Sequence, residues 1–174
     1  VQRNRWAVKL LDIQATDRVI ELGCGPGVAI AALADRATRG LVVGVDQSEV
    51  VIDQARWRNR AAIRDGRVHL VHAPVERMQV TGGPFDAALA VNTVGMWPEP
   101  TTRLREIGGM LRPGGRIAVV SQPRCPGATA ATSAAAADSL AGRLADAGFV
   151  DLRVETLGLD PPAICVLARR PAGH

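Results

Sequence analysis

Aromatic residues make up only 3% of this 174-residue chain, Lys9 is its sole lysine, and its cysteines number three. Cys24, Cys125 and Cys165 are odd in number and far apart, which excludes a disulfide framework and a zinc site built from clustered ligands. A reducing cytoplasm is the expected compartment. His69, His72 and His174 show no helical i, i+4 pairing, so no protein-built metal site is expected. No apolar run approaches the ~20 residues that cross a bilayer, and the N-terminus carries no signal-peptide pattern. The chain begins at Val1 rather than methionine, which leaves room for a short leading segment.

The net charge of +4 rests almost wholly on arginine, a bias that fits nucleic acid, acidic substrates or simply a GC-rich gene. Its densest cluster is Arg56, Arg58, Arg60, Arg64 and Arg67. In a helix over 48–64, Arg56, Arg60, Arg64 and Arg67 share one face while Arg58 points elsewhere. Trp57 is the only ring nearby, too little for a base-stacking platform. The cluster reads as a solvated face, and nucleic acid is not expected as a partner.

What is present describes one globular domain, 1–174, with 47% hydrophobic and 22% charged residues. The organising stretch is Val19 to Gly27, V-I-E-L-G-C-G-P-G. A β-branched run that stops at three alternating glycines reads as a buried strand ending in a tight loop. Apolar spacing resumes at Val28, so the loop opens into a helix whose free N–H groups face it. A dinucleotide loop requires G-x-G-x-x-G. Its third glycine would fall on Val28 or Ile30, so the spacing does not fit.

The pattern E-x-G-C-G-x-G resembles instead the first motif of the class I S-adenosylmethionine-dependent methyltransferases. The run from Phe85 to Val120 resembles the same family more specifically: F-D, an apolar strand, W-P-E-P at a helix start, and L-R-P-G-G-R before a strand. Leu144 to Val154, L-A-D-A-G-F-V-D-L-R-V, is similar to the family's last helix end and sixth strand. The resemblance spans residues 6 to 170. It implies a Rossmann-like α/β fold with seven strands, mostly parallel with an antiparallel C-terminal strand, helices on both faces and a minimal cap.

Between these motifs, Trp6, Leu10 and Ile13 predict an amphipathic helix over 4–14, a partial cap ahead of the first strand. Leu41 to Val45 predicts a second strand ending in Asp46. At that strand end a carboxylate is placed to accept both ribose hydroxyls, or it serves as a loop or helix-capping aspartate. Ser48 is placed to cap the next helix. Val68 to Val71 predicts a third strand, and the resemblance puts adenine beside its end. Many family members carry an acidic residue where this chain has Pro74, so the adenine contact passes to the Val75 N–H, to Glu76, or to neither. Residues 128–141 predict an alanine-rich helix, and Ala163 to Arg169 aligns with the seventh strand.

The resemblance therefore implies S-adenosylmethionine as cofactor, held by Glu21, Gly23, Cys24, Gly25, Gly27, Asp46, Gln47, Val75 and Asn92. Thr93, Trp97, Gln122 and Arg124 are the candidate acceptor-pocket residues, and no dedicated catalytic residue is identifiable. Such a site works by holding a nucleophile in line with an activated methyl. The short segments around the pocket leave it open, unless a homodimer closes it. A small-molecule or lipid-like methyl acceptor is the leading expectation. An RNA or protein methyltransferase and a non-catalytic interaction module are the alternatives.

Overall fold

The computed structural model describes residues 1–173; His174 lies outside them. One sheet is built from β1 (Arg18–Leu22), β2 (Leu41–Asp46), β3 (Val68–His72), β4 (Phe85–Val91), β5 (Leu111–Ser121), β6 (Val150–Leu157) and β7 (Ala163–Arg169). Their order across it is β3-β2-β1-β4-β5-β7-β6. The first five are parallel, while β7 lies antiparallel between β5 and β6. This is the expected seven-stranded Rossmann-like sheet.

Strand alternation sorts the core into two halves. Ile20 and Leu22 face one side with Val43, Val45 and Ile117, against Leu104 and Ile107 of α5 (Pro100–Met110) and Leu140 and Leu144 of α6 (Ala130–Asp146). Val19 faces the other side with Val42 and Leu89, against α1 (Gln2–Leu10), α2 (Val28–Arg36) and α3 (Glu49–Arg58). Burial on both faces is why the central strands read as continuous apolar runs. The chain turns to opposite sides of β1 to form β2 and β4, so the C-terminal ends of β1 and β4 border a crevice.

Three elements differ from the sequence expectation. The N-terminal helix ends at Leu10, and Asp12 takes a left-handed φ of 50°; Leu11 and Ile13 are nonetheless buried. The helix expected over 48–64 is broken at Asn59 into α3 and α4 (Arg60–Arg64). The fifth strand begins at Leu111, and its register against β4 jumps from Phe85↔Leu111 to Ala87↔Arg116. The L-R-P-G-G-R segment, expected ahead of the strand, is instead a bulge within it, which accommodates a proline with no N–H to offer. A second register break lies between Val150 and Arg153 on the edge strand β6, where Asp151 has φ 54°.

Away from the crevice, Asp17 pairs with Arg116 and accepts the Gln14 N–H at 2.9 Å, tying the turn before β1 to β5. The two side chains are 7% and 16% exposed, so removing one strands the other with little water. Asp17→Ala should cost about 3 kcal/mol of stability in urea denaturation, and a loss within experimental error would rule out this pair as a structural tie.

Candidate active site

The end of β1 is held by the strand beside it. The N–H groups of Gly23 and Cys24 both donate to the Val45 carbonyl, at 2.7 and 3.0 Å. Gly23, Gly25 and Gly27 adopt φ of 72°, 51° and 77°. A Cβ on Gly23 would lie 2.5 Å from Thr93 Oγ1 and 2.8 Å from Thr93 Cβ, so only glycine lets the loop after β4 close on β1. Over Gly25 no atom would stand within 4 Å of an added Cβ. That side of the loop is open to a ligand.

Asp46 fastens this loop. Its Oδ2 accepts the Gly25 N–H and its Oδ1 the Ser48 N–H, both at 2.9 Å. Each oxygen keeps a further lone pair. Behind the loop, the buried Asn59 Nδ2 donates to the carbonyls of Gly27, at 3.1 Å, and Ala55, at 3.0 Å. Sequence reasoning missed Asn59; its only signal was a poor helix former inside an arginine-rich helix.

Beneath the loop lies Glu21, fully buried, with Oε2 unpartnered. Burial, and then the nearby Asp46 carboxylate, push its pKa well above the ordinary carboxyl range. Burial likewise pushes the Cys24 thiol up, with Glu21 and Asp46 adding to the shift. Cys24 packs into the core, and its Sγ approaches the Gly25 carbonyl at 3.7 Å. The loop uses its backbone rather than its thiol.

Two adjoining cavities open at the C-terminal end of the sheet. The first, about 170 Å³, lies between the ends of β1 and β2, and is lined by Gly23, Asp46, Gln47, Val75, Thr93 and Trp97 among others. The second, about 410 Å³, lies between β5 and α6; its walls include Asn92, Thr93, Gln122, Arg124, Leu140 and Arg143. Thr93 and Met96 line both. The Trp97 indole N–H donates to Thr93 Oγ1 at 3.1 Å, fixing the ring beside the first cavity.

Most of the sequence-selected residues therefore converge, with some reassignment. Asn92, selected with the cofactor group, stands on the wall of the second cavity, because its Oδ1 accepts the Gln122 N–H at 2.7 Å. Its Nδ2 is buried without a partner. The Gln122 side chain is already engaged, accepting from Arg3 at 2.7 Å and donating to the Pro161 carbonyl at 3.0 Å. Neither cavity is lined by α1; its Ala7 and Val8 are buried in the core, so the expected partial cap is a covering layer of the sheet. Pro74 precedes a short 3-10 turn, Val75–Arg77, and Val75 and Glu76 reach the first cavity. Arg143, unmarked by any motif, enters the second from α6.

The family model for the methyltransferase domain matches residues 19–115, more than half of the chain. The chain belongs to that family. Over 97% of its length it is 26% identical to the uncharacterized methyltransferase YdaC of Bacillus subtilis, covering 92% of that protein. It is 30% identical to the 27-O-demethylrifamycin SV methyltransferase of Amycolatopsis mediterranei, over 63% of this chain and 40% of that protein. The chain thus spans nearly all of the first relative and about two fifths of the second. Among solved structures, the cyclase SpnF superposes over 99% of this chain and 81% of its own, with a TM-score of 0.78 at 19% identity. That likeness shows the fold.

The enzyme class is S-adenosylmethionine-dependent methyltransferase, and the residues lining the first cavity offer contacts for part of that cofactor. The face over Gly25 is open, Asp46 has lone pairs to spare for hydroxyls, and the acidic side chains Asp46 and Glu76 line a site for a cationic ligand. Among the described residues no group of three or more histidine, cysteine, aspartate or glutamate side chains could hold a metal, and no helix is long and apolar enough to cross a membrane.

A raised folded-state pKa at Glu21 means that the folded protein binds its proton more tightly than the unfolded chain. Stability is then fullest below the ordinary carboxyl pKa of about 4.3 and falls as pH rises above it. Glu21→Gln removes that dependence, so its stability relative to the parent should increase from pH 5 to pH 8 in urea denaturation; a constant difference would show Glu21 to be ordinarily ionised. Asn59→Ala should cost about 1–3 kcal/mol by leaving the Gly27 carbonyl without its partner, measured the same way.

Proposed function

We propose that the chain transfers the methyl group of S-adenosylmethionine to a small molecule held in the second cavity. The observation that carries this reading is the shared Thr93–Met96 boundary, which sets a cavity of about 410 Å³ directly beside the cofactor cleft. That volume falls in the range of small-ligand pockets, about 300–1,000 Å³.

Asp46 receives the ribose hydroxyls, the backbone of Gly23 to Gly27 lies along the amino-acid end of the cofactor, and Gln47 and the Val75 N–H border the nucleoside. Glu21 supports the loop from below. Thr93 and Trp97 shape the passage between the two cavities, and the free Asn92 Nδ2 offers a hydrogen bond to the acceptor. The cofactor supplies an activated methyl, and the protein's main contribution is to hold the acceptor in line with it. Bound in the first cavity, S-adenosylmethionine would give up its methyl to an acceptor lone pair as the carbon–sulfur bond broke, leaving S-adenosylhomocysteine. No histidine or carboxylate lines the second cavity among the described residues, so a proton on the acceptor passes to water.

Thermal unfolding with S-adenosylmethionine, S-adenosylhomocysteine and NAD tests the cofactor assignment. A ligand at about 100 times its dissociation constant adds about 2.7 kcal/mol, a shift of several degrees. A rise with the first two only is expected; a flat response would favour an interaction module. Asp46→Ala should abolish the rise and also lower the unligated Tm, since it frees the Gly25 and Ser48 N–H groups. Gly25→Val should abolish the rise by filling the open face of the loop; retention of normal affinity would overturn the loop assignment.

A further inference from the structure

Charge is sorted between the two cavities. Asp46 and Glu76 stand on the wall of the cofactor cleft, which takes no arginine, whereas Arg124 and Arg143 stand on the wall of the second, which takes no carboxylate among the described residues. Six arginines elsewhere, Arg56, Arg67, Arg103, Arg112, Arg116 and Arg153, each pair with an aspartate or glutamate, and several others donate to backbone carbonyls. Neither Arg124 nor Arg143 has an ion-pair or hydrogen-bond partner among the described residues.

Arg143 is half-buried, and holding an uncompensated guanidinium there is unfavourable unless something supplies the opposite charge. Its place in the last turn of α6 suits a cation through the helix dipole; Arg124, exposed to solvent, reaches the same cavity from the loop after β5. A third cation stands behind them. Arg3 holds the Gln122 side chain at 2.7 Å, its Nε is buried without a partner, and burial together with Arg124 keeps its pKa below the ordinary arginine value. The rest of the wall mixes apolar side chains, Val94, Val119, Ala136 and Leu140 among them, with the neutral polar Asn92, Gln122 and Ser139.

We propose that the methyl acceptor is a small organic anion, a carboxylate or phosphate monoester on an apolar body, whose charged end is received by Arg124 and Arg143. This rests on the second cavity being the acceptor site. The guanidinium fork matches both anions. The apolar body lies along Val119 and Leu140, which leaves the nucleophilic atom at the boundary with the cofactor. The arrangement also selects against the wrong occupant: a cation is repelled by the arginines and an anion by the acidic cleft beside it.

The test uses the whole chain saturated with S-adenosylhomocysteine and three probes of similar size, 3-phenylpropionate, phenyl phosphate and the uncharged 3-phenylpropionamide, titrated calorimetrically into the parent, Arg143→Gln and Arg124→Gln. At least one anion should bind about tenfold more tightly than the amide, equivalent to about 1.4 kcal/mol, and should weaken as salt is raised. Each arginine variant should reduce that preference while its affinity for S-adenosylhomocysteine, which reports an intact fold, stays at the parent value. Whichever anion binds better identifies the headgroup. Equal binding of amide and anions, no anion binding, or a preference that survives both substitutions would overturn the proposal. Failure of S-adenosylhomocysteine itself to bind the parent would instead overturn the cofactor reading, and the anion assignment with it.

Discussion

One carboxylate, that of Asp46, holds the site in its working form. By accepting one N–H from the glycine loop and one from the start of α3, it joins the ends of β1 and β2 into a single rim. The same rim is reinforced by the Gly23 and Cys24 N–H bonds to the Val45 carbonyl and by Asn59 behind the loop. Gly23 must stay close for Thr93 to pass, and Thr93 in turn orients Trp97 and forms the boundary with the second cavity. Burial raises the cost of ionising Glu21 beneath it, and the Asp46 carboxylate adds to that cost, so the group offered for binding also disfavours charge on its buried neighbour.

The parts of this arrangement written in local spacing were legible in the sequence. A strand that ends in alternating glycines and a second strand that ends in an aspartate each fit within ten residues, and both landed where expected. Asn59 was not legible, because its role depends on α3 reaching the Gly27 carbonyl 32 positions earlier. Arg143 was missed for the same reason: a helical arginine looks solvated until β5 is placed opposite it. Asn92, expected among the cofactor residues, lines the second cavity, since a residue at the end of β4 can face either way until the Gln122 N–H fixes it. The helix expected to cap the site failed to do so because its small apolar residues, Ala7 and Val8, are better buried against the sheet face.

The fold alone would not have settled the chemistry. A cyclase superposes on this chain almost end to end, which shows that the sheet and its crevice accommodate more than one reaction. The chemistry rests instead on the lining of the two cavities, which carries carboxylates in one and arginines in the other. A donor bearing positive charge and an acceptor bearing negative charge would then attract one another across the boundary. The protein would have little more to do than keep them aligned and dry.

The register break in β6 bears on a different problem, that of keeping the chain apart from its own copies. An edge strand offers a row of unpaired N–H and C=O groups, and this one also exposes Val150, Leu152 and Val154. A flat edge of that composition invites another strand to add to it, and further strands after that. The left-handed Asp151 interrupts the row after a single residue, and Asp151, Arg153 and Glu155 alternate with the apolar side chains. A newcomer would meet a ladder broken at the start of β6 and charged side chains on one of its two faces, both of which oppose the addition of a further strand.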